Sequence, residues 1–325
     1  MSAIPILRRP AGARRMHLRP AAAVLALLAA AALSPAPARA QAADTVADTL
    51  AEPPASHHAL RLTAGGVGLT LGNSRTATGI RINLVDHQVE RVTGLNLTLW
   101  KPKANPDLVV TGIAAGLVGP RAKRIDGVAL GGIGVMASEQ LNGISAGGLI
   151  VLSRNEINGI AVGGLAAVAG QRLRGVAAGG LFAVGDHGID GVATAGLITL
   201  SEGDVHGITM AGLGTIEEGR FTGINLAGGA TFTDGEMRGV SAAGIATVVR
   251  GRLQGIGLAA GTVNVRALDG VAVSAWNNVR GEQRGLTIGI FNYARTVHGL
   301  QLGLLNYVRS NPKGLRLLPV FNTGF

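Results

Sequence analysis

Few residues in this 325-residue chain have the types and spacing that catalysis or metal binding requires. It has no cysteine, so disulfides, thiolate metal sites and a cysteine nucleophile are excluded. Asp186-His187 and Asp204 with His206 occur in successive sequence repeats, where the two histidines would lie on nearby edges. Two imidazoles without further ligands do not complete a metal site. We therefore expect no metal, no cofactor and no catalytic residue.

Carboxylates that could serve in acid–base chemistry are equally isolated. Glu217-Glu218 is a pair in a predicted turn, and nothing in the sequence indicates the burial that would raise a carboxyl pKa. No G-x-S-x-G motif is present, and glycine-rich stretches recur in every repeat, so none of them indicates a phosphate loop. A hydrolase on a repeat scaffold requires Asp, Glu or His clustered on one flank, and the aligned sequence repeats show no such cluster. The sequence therefore predicts a protein that is not an enzyme.

The composition favours strands and tight turns. The chain has 51 glycines, 3% aromatic and 15% charged residues, with abundant Val, Ile, Thr and Ala. Its net charge is +10, but residues 1–40 hold six of the 29 basic residues and no acid, which leaves 23 basic against 19 acidic residues. Because that remainder is scattered, the sequence gives no sign of a nucleic-acid partner.

Residues 1–40 have the features of an export signal. Arg14 to Arg19 form a basic segment, and Ala21 to Leu33 form an apolar run too short to span a membrane comfortably. Ala38-Arg39-Ala40 is an A-x-A cleavage site, which predicts a mature start at Gln41. The predicted location is the periplasm, the outer membrane or the cell surface.

Two questions about this leader stay open. Met1 and Met16 both fit as the initiator, because the sequence from Met16 is a complete signal by itself. Arg14-Arg15 leaves twin-arginine export as an alternative to the general secretory route. Residues 41–59 are acidic, contain proline and lack periodicity, which predicts a flexible linker.

A repeat of about sixteen residues dominates the rest of the chain. Each unit carries a glycine followed by Ile, Leu or Val, called here the marker glycine. The spacing of these glycines is sixteen in the middle of the chain and fourteen, fifteen or eighteen elsewhere. The marker glycines are Gly79, Gly94, Gly112, Gly127, Gly143, Gly159, Gly175, Gly191, Gly207, Gly223, Gly239, Gly255, Gly270, Gly285, Gly299 and Gly314. Large apolar residues recur two before, one after, six after and nine after the marker glycine.

These columns predict a β-solenoid. Two short strands per unit, each turning its large apolar residues inward, would form one coil, and stacked coils would align each column into a continuous core. Glycine pairs such as Gly147-Gly148 fit a tight corner. The sequence thus predicts an all-β domain over residues 60–325, with about 16 coils of 14–16 residues.

A transmembrane β-barrel is the alternative architecture. The residue pattern from Gly223 to Phe232 alternates as in a membrane strand and has the length of one, and the chain ends in Phe325. Two Trp, two Tyr and six Phe are too few for aromatic girdles at both membrane interfaces. Short and long barrel turns would also alternate, giving a 32-residue rhythm that the sequence lacks. These observations favour the solenoid.

One column of threonines is a candidate binding surface. It lies eight residues after the marker glycine in four successive units. Its members are Thr199, Thr215, Thr231 and Thr247. If these side chains face outward, they form a rank with a spacing of about 4.8 Å, which could order water or bind a repetitive surface.

A column of asparagines is a candidate structural ladder near the C-terminus. Its members are Asn277, Asn292, Asn306 and Asn322. Stacked asparagines can hydrogen-bond along the solenoid axis through their amides, which offsets the cost of burying them. Pro319 cannot donate to a strand ladder and suits a terminal coil that blocks further stacking.

The last units carry a recognisable motif, "RGLTIGIFNYA", "HGLQLGLLNYV" and "KGLRLLPVFNTGF". They resemble a family of bacterial exported surface-repeat proteins built from G-[LIV]-Q-[LIV]-G-L-[LIV]-N-x-[AV] units. The resemblance is close over residues 285–325 and loose over 60–284, where Ala, Ser or Thr replaces Gln and Asn. It implies a secreted or envelope-associated repeat protein without catalytic residues.

The function expected from these features is that of a structural or interaction module of the bacterial cell envelope or surface. An outer-membrane barrel that acts as a pore or assembly component is the alternative. The sequence identifies no partner. Envelope or surface components and end-to-end self-association of the coils are the partner hypotheses that it leaves open.

Overall fold

Strands follow one another along nearly the whole chain that the structure covers. The computed structural model describes residues 58–103 and 105–325, and 73% of these residues lie in strands. The predicted export signal, and the predicted linker as far as residue 57, lie outside the described residues. The strands are β1 (Ala59–Ala64), β2 (Val67–Gly72), β3 (Thr76–Asn83), β4 (Arg91–Thr98), β5 (Val109–Gly116), β6 (Arg121–Gly131), β7 (Gly134–Gly147), β8 (Ile150–Ser153), β9 (Glu156–Gly163), β10 (Ala166–Ala169), β11 (Arg172–Gly179), β12 (Phe182–Gly185), β13 (Gly188–Ala195), β14 (Ile198–Ser201), β15 (Asp204–Ala211), β16 (Gly214–Glu217), β17 (Phe221–Ala227), β18 (Ala230–Thr233), β19 (Met237–Ala243), β20 (Ala246–Ala259), β21 (Thr262–Val273), β22 (Trp276–Val308) and β23 (Leu317–Asn322).

Parallel pairing between successive turns makes the fold a β-solenoid rather than a barrel. Gly143 of β7 pairs with Gly159 of β9, and Gly159 pairs with Gly175 of β11, so equivalent residues of neighbouring repeats stack in register. The short strands β8, β10, β12 and β14 pair in parallel in the same way. The all-β solenoid prediction is therefore confirmed.

The domain has about 13 turns instead of the expected 16, and an antiparallel strand pair lies at each of its ends. At the N-terminal end, β1 and β2 form an antiparallel pair. At the C-terminal end, Gly314 lies in a 3-10 turn (Lys313–Leu315), and β23 folds back antiparallel onto β22. The last marker glycine, Gly314, therefore does not begin a further coil.

The marker glycine bends each coil. Gly207 has φ +135°, a conformation that L side chains rarely adopt, and a Cβ there would lie 1.9 Å from the carbonyl oxygen of Gly191. Two further bends follow, one near the glycine pair and one in the polar corner. Each coil therefore has three sides.

Because of these bends, part of the predicted core lies on the outer surface instead. The column two before the marker glycine faces inward as expected, with Leu173 and Phe221 fully buried. The columns one and six after it face outward instead, since Ile160 is 44% exposed and Leu165 is 45% exposed. The column nine after is mostly half-buried on the outside, and Phe232 in it is exposed. The positive φ at the marker glycine interrupts the strand alternation, and residues on both sides of the bend lie on the outer surface.

Small and polar residues fill the part of the interior that large apolar side chains do not occupy. Ala161, Ala177 and Ala193, two after the marker glycine, are fully buried and stack on one another. At the same position in other turns lie Arg81 and Asn225. The narrow core thus contains alanine at this position in some turns and polar residues in others, and Arg81 and Asn225 are hydrogen-bonded there.

Candidate functional site

The threonine column lies inside the solenoid, which contradicts its proposed role as an outward binding rank. Thr199, Thr215, Thr231 and Thr247 are all at most 1% exposed. In β16, Thr215 and Glu217 face inward while the alternate residues Gly214 and Ile216 face outward. The position eight after the marker glycine therefore belongs to the inner face of the short strand.

Thr199 is the one member of this column whose buried hydroxyl oxygen has no hydrogen-bond partner among the described residues. Thr199→Val should raise the free energy of unfolding by about 0.5–1 kcal/mol, because valine keeps the shape and removes an unpaired polar atom. Urea denaturation at neutral pH measures this change.

Thr215→Val is the matched control for that substitution. The Thr215 hydroxyl donates to Asn225 Oδ1 at 2.6 Å, so its loss should lower the free energy of unfolding by about 1–2 kcal/mol. Equal effects of the two substitutions would contradict the assigned hydrogen bonding.

Glu217 lies at the centre of a buried polar cluster in the middle of the solenoid. Thr209 donates to its Oε1 at 3.3 Å, and Asn225 Nδ2 and Thr233 Oγ1 donate to its Oε2 at 3.0 and 3.2 Å. Its exposed fraction is 2%. No cationic side chain is among these partners.

Burial without a countercharge decides the protonation of Glu217. Desolvation raises the pKa of Glu217 to about 8, against the smaller opposing effect of hydrogen bonds from Thr233, Thr209, Thr215 and Asn225. The carboxyl is therefore mostly protonated at neutral pH. Because the surrounding turns seal it from solvent, it cannot exchange protons with an external substrate in this structure.

Arg81 and Asp86 form a second buried cluster near the N-terminal end. Their side chains make an ion pair with 0% and 3% of the side chains exposed. Arg81 Nη1 also donates to Asn96 Oδ1 at 2.7 Å, and Asn96 Nδ2 donates to Asp86 Oδ2 at 3.0 Å. Burial raises the pKa of Asp86, but Arg81 and hydrogen bonds from Thr98, Arg81 and Asn96 outweigh it, so the net shift is downward.

The asparagine column forms a hydrogen-bonded ladder over three of its four members. Asn277 Nδ2 donates to Asn292 Oδ1 at 2.8 Å, and Asn292 Nδ2 donates to Asn306 Oδ1 at 2.7 Å. Asn322 departs from the ladder, since its Nδ2 donates to the backbone oxygen of Asn306 at 3.0 Å. It lies in β23, which runs antiparallel and cannot continue the amide stack.

Charged residues are gathered on one side of the solenoid, contrary to the expectation of scattered charge and no clustered flank. In the eight turns between residues 138 and 265, every charged residue except Glu217 lies in a five-residue segment around the polar corner. The segments, which together form the charged side, are 138–142, 154–158, 170–174, 186–190, 202–206, 218–222, 234–238 and 250–254.

Many charges on this side form ion pairs across neighbouring turns. Arg172 Nη1 lies 3.0 Å from Asp190 Oδ2, and His206 Nδ1 lies 3.3 Å from Asp190 Oδ1. Arg250 Nη1 lies 2.9 Å from Asp234 Oδ1. These groups are about one-third to three-fifths exposed, so the charged side is a solvated surface with both signs of charge.

The other two sides of each coil present apolar side chains to the outside. On the first side, the residues one and three after the marker glycine are exposed, for example Ile160 and Val162. On the second side, the outward residues of the short strands include Ile198 and Phe232. We call these two surfaces the apolar sides.

A row of leucines runs along the edge between the two apolar sides. They lie six after the marker glycine and are 36–57% exposed. The members of this leucine ridge are Leu149, Leu165, Leu181, Leu197 and Leu213. Exposed apolar surface of this extent on a folded chain indicates an interaction site.

Sequence reasoning missed this division of the surface, although its signal is present in the charge pattern. In the eight eleven-residue stretches that begin at Gly143 and end at Val265, Glu217 is the single charged residue. Charge is absent from the rest of each repeat, and this absence indicates where the apolar sides lie. Buried Arg81 and Glu217 were missed because burial has no signature in the local sequence.

Within residues 58–103 and 105–325, no group of three or more His, Asp or Glu side chains is arranged to hold a metal ion. Across the same ranges, no helix combines the length and hydropathy needed to cross a bilayer.

Comparison with known proteins adds no relative from which a role could be transferred. No protein-family model, curated protein or solved structure matches this chain.

Proposed function

We propose that this chain is an exported, non-enzymatic repeat protein that serves as a structural or interaction module of the bacterial cell envelope or surface. The observation that carries the proposal is the long outer surface, on which apolar side chains cover two of the three sides of each coil while the charges occupy the third. Such a surface suits binding along its length.

The chemistry of the described residues supports a role without catalysis. Asp190 and His206 are paired on an open, solvated side. Glu217, whose pKa is raised by burial, is enclosed by Thr209, Asn225 and Thr233. A catalytic acid or base needs access to substrate, and the enclosed carboxyl of Glu217 lacks it.

Export is tested by the fate of the leader. When the full chain is expressed in a Gram-negative host, we expect the mature protein to begin at Gln41 and to be recovered with the cell envelope or the medium. Mass spectrometry of the N-terminus and cell fractionation measure this. A folded chain that keeps residues 1–40 and stays in the cytoplasm would contradict the proposal.

A further inference from the structure

We propose that the two apolar sides and the leucine ridge dock this solenoid onto a lipid bilayer, with the charged side facing water. This inference rests on the proposed envelope function and names the partner. It is carried by three properties of the described residues, which are the extent and shape of the apolar surface, the position of the charges, and the pairing of the backbone.

The apolar surface is too large and too convex for a flat partner. Eight turns at about 4.8 Å, and two sides of about four residues each, give a surface on the order of 1,000 Å². A single monomer normally exposes apolar patches of a few hundred Å². A second copy of this chain could cover one side at a time, whereas fluid acyl chains can cover both sides and the ridge between them.

The charges lie where docking on a bilayer requires them. With the ridge pointing into the membrane, the charged side is the one that stays in water, and none of its charges is buried. Its ion pairs, such as Arg172 with Asp190 and Arg250 with Asp234, leave no strong excess of one sign on that side. We therefore expect binding to uncharged, zwitterionic lipid through apolar contact, with weak dependence on salt.

The backbone along the ridge is already hydrogen-bonded, which removes the main cost of contact with hydrocarbon. Leu165 N donates to Leu149 O at 2.7 Å, and Leu181 N donates to Leu165 O at 2.8 Å. Leu213 N donates to Leu197 O at 2.9 Å. Each turn pairs with the turns before and after it, so a solenoid can lie against lipid without exposing unpaired amide groups along its length.

Both tryptophans of the chain continue the line of the leucine ridge beyond its two ends, where they can report on contact with the bilayer. Trp100 and Trp276 occupy the ridge position six after Gly94 and Gly270. They are 59% and 55% exposed. On docking, their fluorescence emission should shift to the blue, and phosphatidylcholine brominated on its acyl chains should quench it.

The experiment is flotation of the full chain with phosphatidylcholine vesicles, together with tryptophan emission spectra. The test variant is Leu165→Lys with Leu213→Lys, which places two charges on the ridge. The matched control is Gln171→Lys with Thr222→Lys, which adds the same charge at exposed positions on the charged side. Circular dichroism and thermal melting establish that all proteins are folded.

We expect the wild type and the control to float with vesicles at both low and high salt, with blue-shifted emission. The ridge variant should bind at least about 100-fold more weakly, because lysine is costly at the depth of the acyl chains. Equal binding by all three proteins would overturn the assignment of this surface, since the binding would then arise elsewhere in the chain.

Two further outcomes would also overturn the inference. One is a folded wild-type chain that neither floats nor changes its emission. The other is a discrete dimer that the ridge variant loses and that does not bind vesicles, which would assign the surface to a second copy. Either outcome leaves the envelope function standing if the chain is exported, whereas cytoplasmic retention would contradict that function whatever the vesicles show.

Discussion

Glu217→Gln is expected to make the protein more stable than the wild type above pH 8 and to leave its stability nearly unchanged near pH 4. The folded-state pKa of Glu217 is about 8, against 4.5 for an ordinary glutamate. The folded protein therefore holds this proton more tightly than the unfolded chain does. The stability that this proton confers is fully present below about pH 4.5, falls as the pH rises, and is lost above about pH 8.

The free energy of unfolding should differ by up to about 5 kcal/mol between the variant and the wild type in alkaline solution. The size of the pKa shift of Glu217 sets this upper limit. Glutamine resembles the protonated carboxyl in shape, and it can still accept from Asn225 and Thr233. Urea denaturation at pH 5, 7 and 9 measures the change.

Glu218→Gln is the matched control, because it removes the same charge from the next residue. Glu218 is exposed on the charged side and should show little effect at any of these pH values. If Glu217→Gln has the same flat profile as Glu218→Gln, the carboxyl of Glu217 is not sealed inside the solenoid as the structure has it.

Asp86→Asn is expected to lower the free energy of unfolding by about 3–5 kcal/mol at neutral pH. The substitution leaves the guanidinium of Arg81 buried without a countercharge, and the interior offers it no water. The first coils should therefore unfold at lower denaturant concentration. Since the pKa of Asp86 is lowered, its contribution is fully present at neutral pH and is lost only in acid, below the ordinary value of 3.8.

Two comparisons separate loss of the buried pair from loss of an ion pair in general. Glu90→Gln breaks the Arg75–Glu90 pair in the same region, whose side chains are 63% and 46% exposed, and should cost at most about 1 kcal/mol. Replacing both buried partners, Arg81→Gln with Asp86→Asn, should recover part of the loss because no unpaired charge remains. A double variant less stable than Asp86→Asn would contradict this explanation.

The repeat itself was the most predictable feature of the fold. Glycines spaced by sixteen residues predict stacked turns, since like residues must stack on like for one coil to cover the next. Gly143, Gly159 and Gly175 indeed pair in register. The end coils were harder to predict, because the marker at Gly314 is followed by Pro319 and an antiparallel strand.

The candidate site was predicted less well, since the threonine column and the apolar columns were assigned to the wrong faces. A strand alternates its faces, but each coil contains a bend at the marker glycine, where φ is positive and alternation is interrupted. Counting residues across that bend places Ile160 and Leu165 in the core and Thr215 on the surface. The structure places all three on the opposite face.

Adjacent residues show the limit of local reasoning most clearly. Glu217 and Glu218 are the same residue type side by side, yet one is buried and protonated while the other is solvated. Nothing in their immediate sequence distinguishes them. The burial of Glu217 results from the folding of its own turn, which brings Thr209 to its carboxyl, and from the next turn, which supplies Asn225 and Thr233.

Periodicity and composition along the chain were thus enough to predict strands, turns and their parallel stacking, because these follow from local geometry repeated at a fixed spacing. The direction in which each column faces and the enclosure of the Arg81–Asp86 pair by Asn96 and Thr98 of the next turn are decided only by the bending and stacking of the coils. The burial and the pKa of Glu217 are set by Thr209 of its own turn and by Asn225 and Thr233 of the next turn, which lie eight or sixteen residues away in the sequence.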